Sequence, residues 1–197
     1  MMAFTRLRLM EKLARVPQLT SAYAGRDAAY VDHVIEWLAD VEKTLTELRN
    51  PLASMVAIQR ADIVSVDDGR IPAEISDRVV NRRKLKRVAA SQAMGRTEMA
   101  LRETIADIDQ KFDEVAEKLA QLLAVVSSVQ PIAFPPYEPI NKWLDEVWKG
   151  MSVVAETQGL FTYVSARLTL SDRRYLLQEV LDNLWKNAPT SGQTKVS

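Results

Sequence analysis

Apolar residues recur at alternating intervals of four and three through the second half of a long stretch with few helix breakers. Leu101, Ile105, Ile108, Phe112, Val115, Leu119, Leu122, Val126 and Val129 are spaced 4, 3, 4, 3, 4, 3, 4, 3, the a and d positions of about four heptads. Asp109 falls at an e position and Lys111 and Lys118 at g, where interhelical ion pairs form. A second seam, Val31, Val34, Leu38, Val41, Leu45 and Leu48, repeats at 3, 4, 3, 4, 3. The two seams predict helices that pack on each other as an antiparallel hairpin or that self-associate. At about 1.5 Å per residue the first seam covers roughly 42 Å and the second roughly 26 Å, so the shorter cannot cover the longer alone. The helix after Pro51, the C-terminal helices or another chain must cover the rest, because each bare Leu or Phe forgoes roughly 1.5–3 kcal/mol of burial. Around Ala120 to Val126 the apolar face widens to Leu123, Ala124 and Val125, which suits a multi-helix bundle better than a two-stranded coil.

The breakers set the other elements. No proline stands between Pro72 and Pro131, and Gly95 is the one glycine there. Proline costs a helix interior about 3 kcal/mol and glycine about 1, so this stretch predicts one long central helix over about 73–130, with a kink or close crossing at Gly95. Asp27 predicts the cap of a helix to about Arg49, and Asn50-Pro51 the start of another to about Asp62. Ile63 to Ile71, β-branched with a turn dipeptide, reads as a structured loop or a small hairpin. A Pro-rich linker over 131–140 is extended. A helix follows from about Asn141 to Gln158, then Leu160 to Leu170 is ambiguous between strand and helix. A last helix begins at Ser171 or Asp172. The fold class expected is all-α, an elongated helical bundle. Its parts are N-terminal helices and the central helix in 1–130, the linker in 131–140, a C-terminal helical pair in 141–187 on the same bundle, and a disordered tail in 188–197.

Composition narrows the class. The 197 residues are 47% apolar, enough for a core. Lys+Arg and Asp+Glu are equal at 26, for a formal net charge of zero, which excludes a globally basic nucleic-acid coat. With 0 cysteines, disulfides, thiolate metal sites and a cysteine nucleophile are excluded, and a reducing cytoplasm is the expected setting. No apolar run is long enough to predict a transmembrane helix. The opening residues alternate Arg6, Arg8, Lys12 and Arg15 with Leu7, Leu9, Met10, Leu13 and Val16. This is the pattern of a mitochondrial targeting segment, of an interfacial helix or of an ordinary amphipathic first helix, and the last is the expectation.

Charge along the central helix is polarised. Arg78, Arg82, Arg83, Lys84, Lys86, Arg87 and Arg96 occupy its first part, with no acid from Arg78 to Thr97. Glu103, Asp107, Asp109, Asp113, Glu114 and Glu117 follow, against Lys111 alone. The heptad seam fails before Leu101, where continuing it meets Glu98, Arg87 and Lys84. The basic half therefore reads as a stripe for phosphates, as a partner for acidic surface (including the acidic half of another copy), or as a solvated face. Stacking aromatics are missing from it, so nucleic-acid binding there would be electrostatic.

Candidate chemistry is sparse. His33 is the sole histidine, so HExxH and paired Glu-x-x-His metal sites do not arise within one chain. No GxxxxGK[ST], GxGxxG or GxSxG motif occurs. Arg26-Asp27-Ala28-Ala29-Tyr30-Val31-Asp32-His33 resembles the R-x(4–6)-H motif of HEPN-type ribonucleases, helical bundles that usually dimerise, although that family usually carries the motif late in its bundle. The resemblance implies an acid–base role for His33 and phosphate-charge stabilisation by Arg26. The expectation from all this is no catalytic, cofactor or metal site. The chain reads as a helical assembly or adaptor subunit acting through protein–protein association, as a homo-oligomer or within a larger complex, with the seam from Leu101 to Leu122 as its association surface. A nucleic-acid-binding subunit using the basic stripe is the alternative, and a HEPN-like ribonuclease the third reading.

Overall fold

The computed structural model describes residues 1–69, 81–129, 132 and 140–187. The chain is all-α: among the described residues there are eight α-helices and no strand. They are α1 (Met2–Leu13), α2 (Val16–Ala24), α3 (Tyr30–Glu47), α4 (Leu52–Ser65), α5 (Arg82–Val129), α6 (Ile140–Met151), α7 (Gln158–Arg167) and α8 (Leu170–Asn187). The long helix predicted over about 73–130 is α5, of 48 residues. Residues 73–80, the linker apart from Ile132 and Ile140, and the tail 188–197 lie outside the described residues. None of the described helices is long and apolar enough to cross a membrane.

The helices belong to two compact units, Phe4–Asp107 and Met1–Ala3 with the described residues from Ile108 onward. In the first, the α3 seam is the centre. Val34, Leu38, Val41 and Leu45 are fully buried, and they share a core with Leu9 of α1, Leu19 of α2 and Val56 and Ile63 of α4. Trp37, on the same side of α3, is fully buried and donates its Nε1–H to the Lys12 carbonyl at 2.9 Å, closing a backbone acceptor at the end of α1. Asn50 stands one residue outside the expected cap: its Oδ1 accepts from the Leu52 amide at 3.0 Å, while Pro51 occupies the cap position and α4 opens at Leu52. Asp27 stands further out than predicted. Its carboxylate accepts from the Ala29 amide at 2.9 Å, an Asx turn that precedes α3.

The structure departs from the sequence expectations at three further places. The β-branched stretch from Ile63 is helical to Ser65 and then turns as a 3₁₀ segment, Val66–Asp68, stopped by Gly69 at φ 83. Ile63 and Val66 are buried in the core, and this packing overrides strand propensity. The two seams do not pair as one hairpin. The α3 seam shares its core with the first part of α5, up to Leu101, whereas α5 from Ile108 to Val126 packs in the second core. Gly95 marks no crossing: it is exposed, a Cβ there meets nothing within 4 Å, and α5 runs through it unbroken.

In the second unit, Ile108, Phe112, Val115, Leu119, Leu122, Leu123 and Val126 are buried with Leu144, Trp148 and Met151 of α6, Val164 of α7 and Leu176, Leu177, Val180 and Leu181 of α8. The C-terminal helices thus supply the cover that the length argument required. The ambiguous segment is α7, helical until Leu168 turns extended at φ −114 and ψ 132. The cap of α8 is Thr169, not Ser171 or Asp172. Its Oγ1 accepts from the Asp172 amide at 3.3 Å and donates to the Asp172 carboxylate at 2.7 Å, so one hydroxyl holds both the backbone and the side chain of the third helical residue. Asp172 is itself buried, and its carboxylate accepts from the Met2 and Ala3 amides at 3.0 Å each. Those amides open α1, where no intrahelical acceptor exists for them.

Candidate functional site

The basic half of α5 is packed on one side and bare on another. Leu85, Ala89, Ala90, Ala93, Met94 and Thr97 are buried in the first core. Between Leu85 and Met94 the apolar face is carried by alanines, which is why a search for large heptad residues failed before Leu101. Thr97 is fully buried and its hydroxyl donates to Gln59 Oε1 of α4 at 2.6 Å, a polar pair closed on itself inside the core.

The basic residues divide accordingly. Arg87 is a structural cation. Its guanidinium donates to the Asp27 carbonyl at 2.9 Å and to the Tyr23 carbonyl, and it lies 4.9 Å and 5.0 Å from the ring centroids of Tyr23 and Tyr30. Burial pushes the Tyr30 phenol above its ordinary value of 10.0, against the opposing pull of Ser91 and the Arg87 charge. Lys86 pairs with Asp67 at 2.6 Å. Arg82, Arg83 and Lys84 are exposed, and among the described residues none of them pairs with a carboxylate. Arg96 is exposed further along the helix. Arg78 lies outside the described residues. The stripe read from the sequence as one feature is therefore a short exposed basic cluster, followed by two cations committed to the fold.

The seam residues are brought together, but inside the chain's own cores. Leu101, Ile108, Phe112, Val115, Leu119 and Leu122 are buried, Ile105 is half-buried and Val129 is exposed. His33 and Arg26 are not brought together. His33 Nδ1 stands 3.8 Å from the Asp27 carboxylate, with both side chains about half exposed at 48% and 42%. Arg26 is exposed at a φ of 56, in the left-handed region that non-glycine residues rarely adopt. Among the described residues its side chain has no hydrogen-bonding or ionic partner. Also among the described residues, no cluster of His, Asp and Glu could hold a metal ion.

One surface escaped the sequence reading. In α1, Leu9 is buried and Leu13 half-buried against the first core, while Phe4, Leu7 and Met10 face solvent at 44%, 57% and 43% exposure. At about 100° per residue, Leu7 lies roughly 160° round the helix from Leu9, so α1 is apolar on two faces. The i, i+3, i+6 spacing of Phe4, Leu7 and Met10 carried that signal, masked by the interleaved arginines. Those cations are occupied within the fold: Lys12 pairs with Asp40 at 2.9 Å, Arg8 with Glu47 at 3.1 Å, and Arg15 lies 3.7 Å from Asp40. The Arg8 guanidinium also sits 5.8 Å from the centre of the Phe4 ring. No protein-family model, curated protein sequence or solved structure matches the chain.

Proposed function

We propose that this protein is a non-catalytic assembly or adaptor subunit, and that its first partner is a second copy of itself, docked through the outer face of α1. The observation that carries this reading is the stripe of Phe4, Leu7 and Met10, left to water on a helix whose opposite face is already buried. Burying each such side chain is worth up to roughly 1.5–3 kcal/mol. Lys12 and Arg8 are already paired with Asp40 and Glu47, so the face offers apolar contact with little free positive charge. That favours another apolar helix over an anionic lipid surface or a nucleic-acid backbone. The formal net charge of zero removes overall repulsion between two copies. The seam on α5 is covered by the chain's own helices, so association is assigned to α1 instead.

The test is the solution mass by light scattering across a concentration series, with helicity followed by circular dichroism. Wild-type protein is expected to exceed its monomer mass of 22.2 kDa, and the Leu7→Asp, Met10→Asp double variant to return to it with helicity unchanged. A wild-type mass that stays at the monomer value at high concentration would refute self-association through α1. A second reading, nucleic-acid binding, is supported by the exposed Arg82, Arg83 and Lys84 at the start of α5. Its test is retention on mixed RNA or DNA as salt is raised, compared between the wild type and a variant with all three replaced by Glu.

A further inference from the structure

A surface notch of about 180 Å³ lies between α6 and α8. Leu144, Trp148 and Leu177 give it apolar walls, and Leu170, 55% exposed, stands with them. Two neighbouring arginines of α8 line it, and their situations differ. Arg174 is neutralised by Asp145, which also lines the notch: Nε donates to one carboxylate oxygen at 2.9 Å and Nη2 to the other, and this fork holds the Asp145 carboxyl below its ordinary value. Arg173 makes no hydrogen bond or close ion pair with a carboxylate among the described residues, and feels Asp145 only at longer range. Its guanidinium lies 5.0 Å from the Trp148 ring centre, Nη2 is 3.5 Å from the Ser165 carbonyl, and Nε is buried without an acceptor.

We propose that this notch binds a small monocarboxylate with a ring-sized apolar body, the carboxylate on Arg173 and the body against Leu144, Leu170 and Leu177. Arg173 is half-buried and has only the more distant attraction of Asp145 to offset its charge, so an anionic acceptor at its guanidinium adds a contact the chain does not supply. Stacking on an aromatic face leaves the in-plane N–H groups of a guanidinium available to a carboxylate. Charge count selects a monoanion. Arg173 and Arg174 share the one lining carboxylate, Asp145, so the notch carries a single excess positive charge, and a dianion such as a phosphate monoester would place its second charge near Asp145. Size selects the body: a cavity of about 150 Å³ lined by apolar side chains holds a benzene ring.

Ligand-observed saturation-transfer NMR on the full chain tests this with phenylacetate as the probe and phenylacetamide as its uncharged counterpart. Phenylacetate is expected to bind saturably, and phenylacetamide about tenfold or more weakly, the loss of one charge-assisted contact. Arg173→Met is expected to remove the preference for the acid, and added salt to weaken acid binding only. Absence of saturable phenylacetate binding to the wild-type protein, or equal affinity for acid and amide, would overturn the proposal. So would Arg173→Met with its preference for the acid intact. The acid–amide comparison uses wild-type protein alone, so equal affinity or absent binding there overturns the proposal even if Arg173→Met proves unstable. Leu170→Asp, at an exposed position of the notch, then serves as the second variant: it is expected to weaken phenylacetate binding, and unchanged binding would overturn the proposal.

Discussion

Side chains of one type on one helix carry different duties. Arg87 is held by two carbonyls and two tyrosine rings, whereas Arg82, Arg83 and Lys84 extend into solvent. Their replacements therefore separate folding from binding. Arg87→Met removes charge-assisted hydrogen bonds and the ring contacts together, and is expected to cost about 2 kcal/mol or more in chemical denaturation. Replacing Arg82, Arg83 and Lys84 together by Glu should leave stability within about 0.5 kcal/mol, as exposed positions usually do. Retention on mixed RNA or DNA, measured as salt is raised, then reads the cluster's role. Loss of a salt-sensitive interaction in the triple variant would support the nucleic-acid reading, and absence of retention in the wild type would remove it. The sequence showed the charges but not the division between them. Tyr23, Asp27 and Tyr30 are some sixty residues away in the chain, with Arg87 donating to Asp27 across a separation of 60, and nothing in local spacing points to them.

At the scale of the element, α5 shows what periodicity makes legible. Its existence and its seam follow from large apolar residues at alternating intervals of four and three, and those residues are buried from Leu101 to Val126, apart from the half-buried Ile105. Its first part was illegible because Ala89, Ala90 and Ala93 bury little surface each and read as helix propensity rather than as a core face. The start of α8 failed for another reason. Thr169, Ser171 and Asp172 are all cap-forming types, and only the hydrogen bonds between Thr169 and Asp172 choose among them. Gly95 is the element's weak point. It lies in a helix interior, exposed, with open space where a Cβ would stand. Gly95→Ala is expected to stabilise the protein by about 1 kcal/mol by restricting the unfolded chain, visible as a higher melting temperature. A loss of stability would show that something passes close to this position after all.

For the whole molecule, the all-α class was readable from composition and period, while the partition of the helices between two cores was not. That partition depends on which helix covers which stretch of seam, and long-range packing decides it. The same holds for Asp172, whose distant partners are the amides of Met2 and Ala3. Burial pushes its carboxyl upward, but the chain's amino group, the Thr169 hydroxyl and those two amides together outweigh it, and the group lies below its ordinary value of 3.8. A carboxyl depressed in the folded state contributes stability above its unfolded value and loses it as pH falls through the folded one. Acid titration of stability is therefore expected to steepen below about pH 4, and Asp172→Asn to flatten that limb while costing about 1–3 kcal/mol at neutral pH. An unchanged acid limb in the variant would show that Asp172 does not govern it. The contrast between the two parts of α5 has a consequence for sequence divergence. Where buried alanines form the contact, a larger residue has to be accommodated by overpacking, so drift should be slow and confined to small residues. Where leucine, isoleucine, valine and phenylalanine form it, volume can be exchanged among neighbours, and lineages should trade these residues freely while keeping the interval.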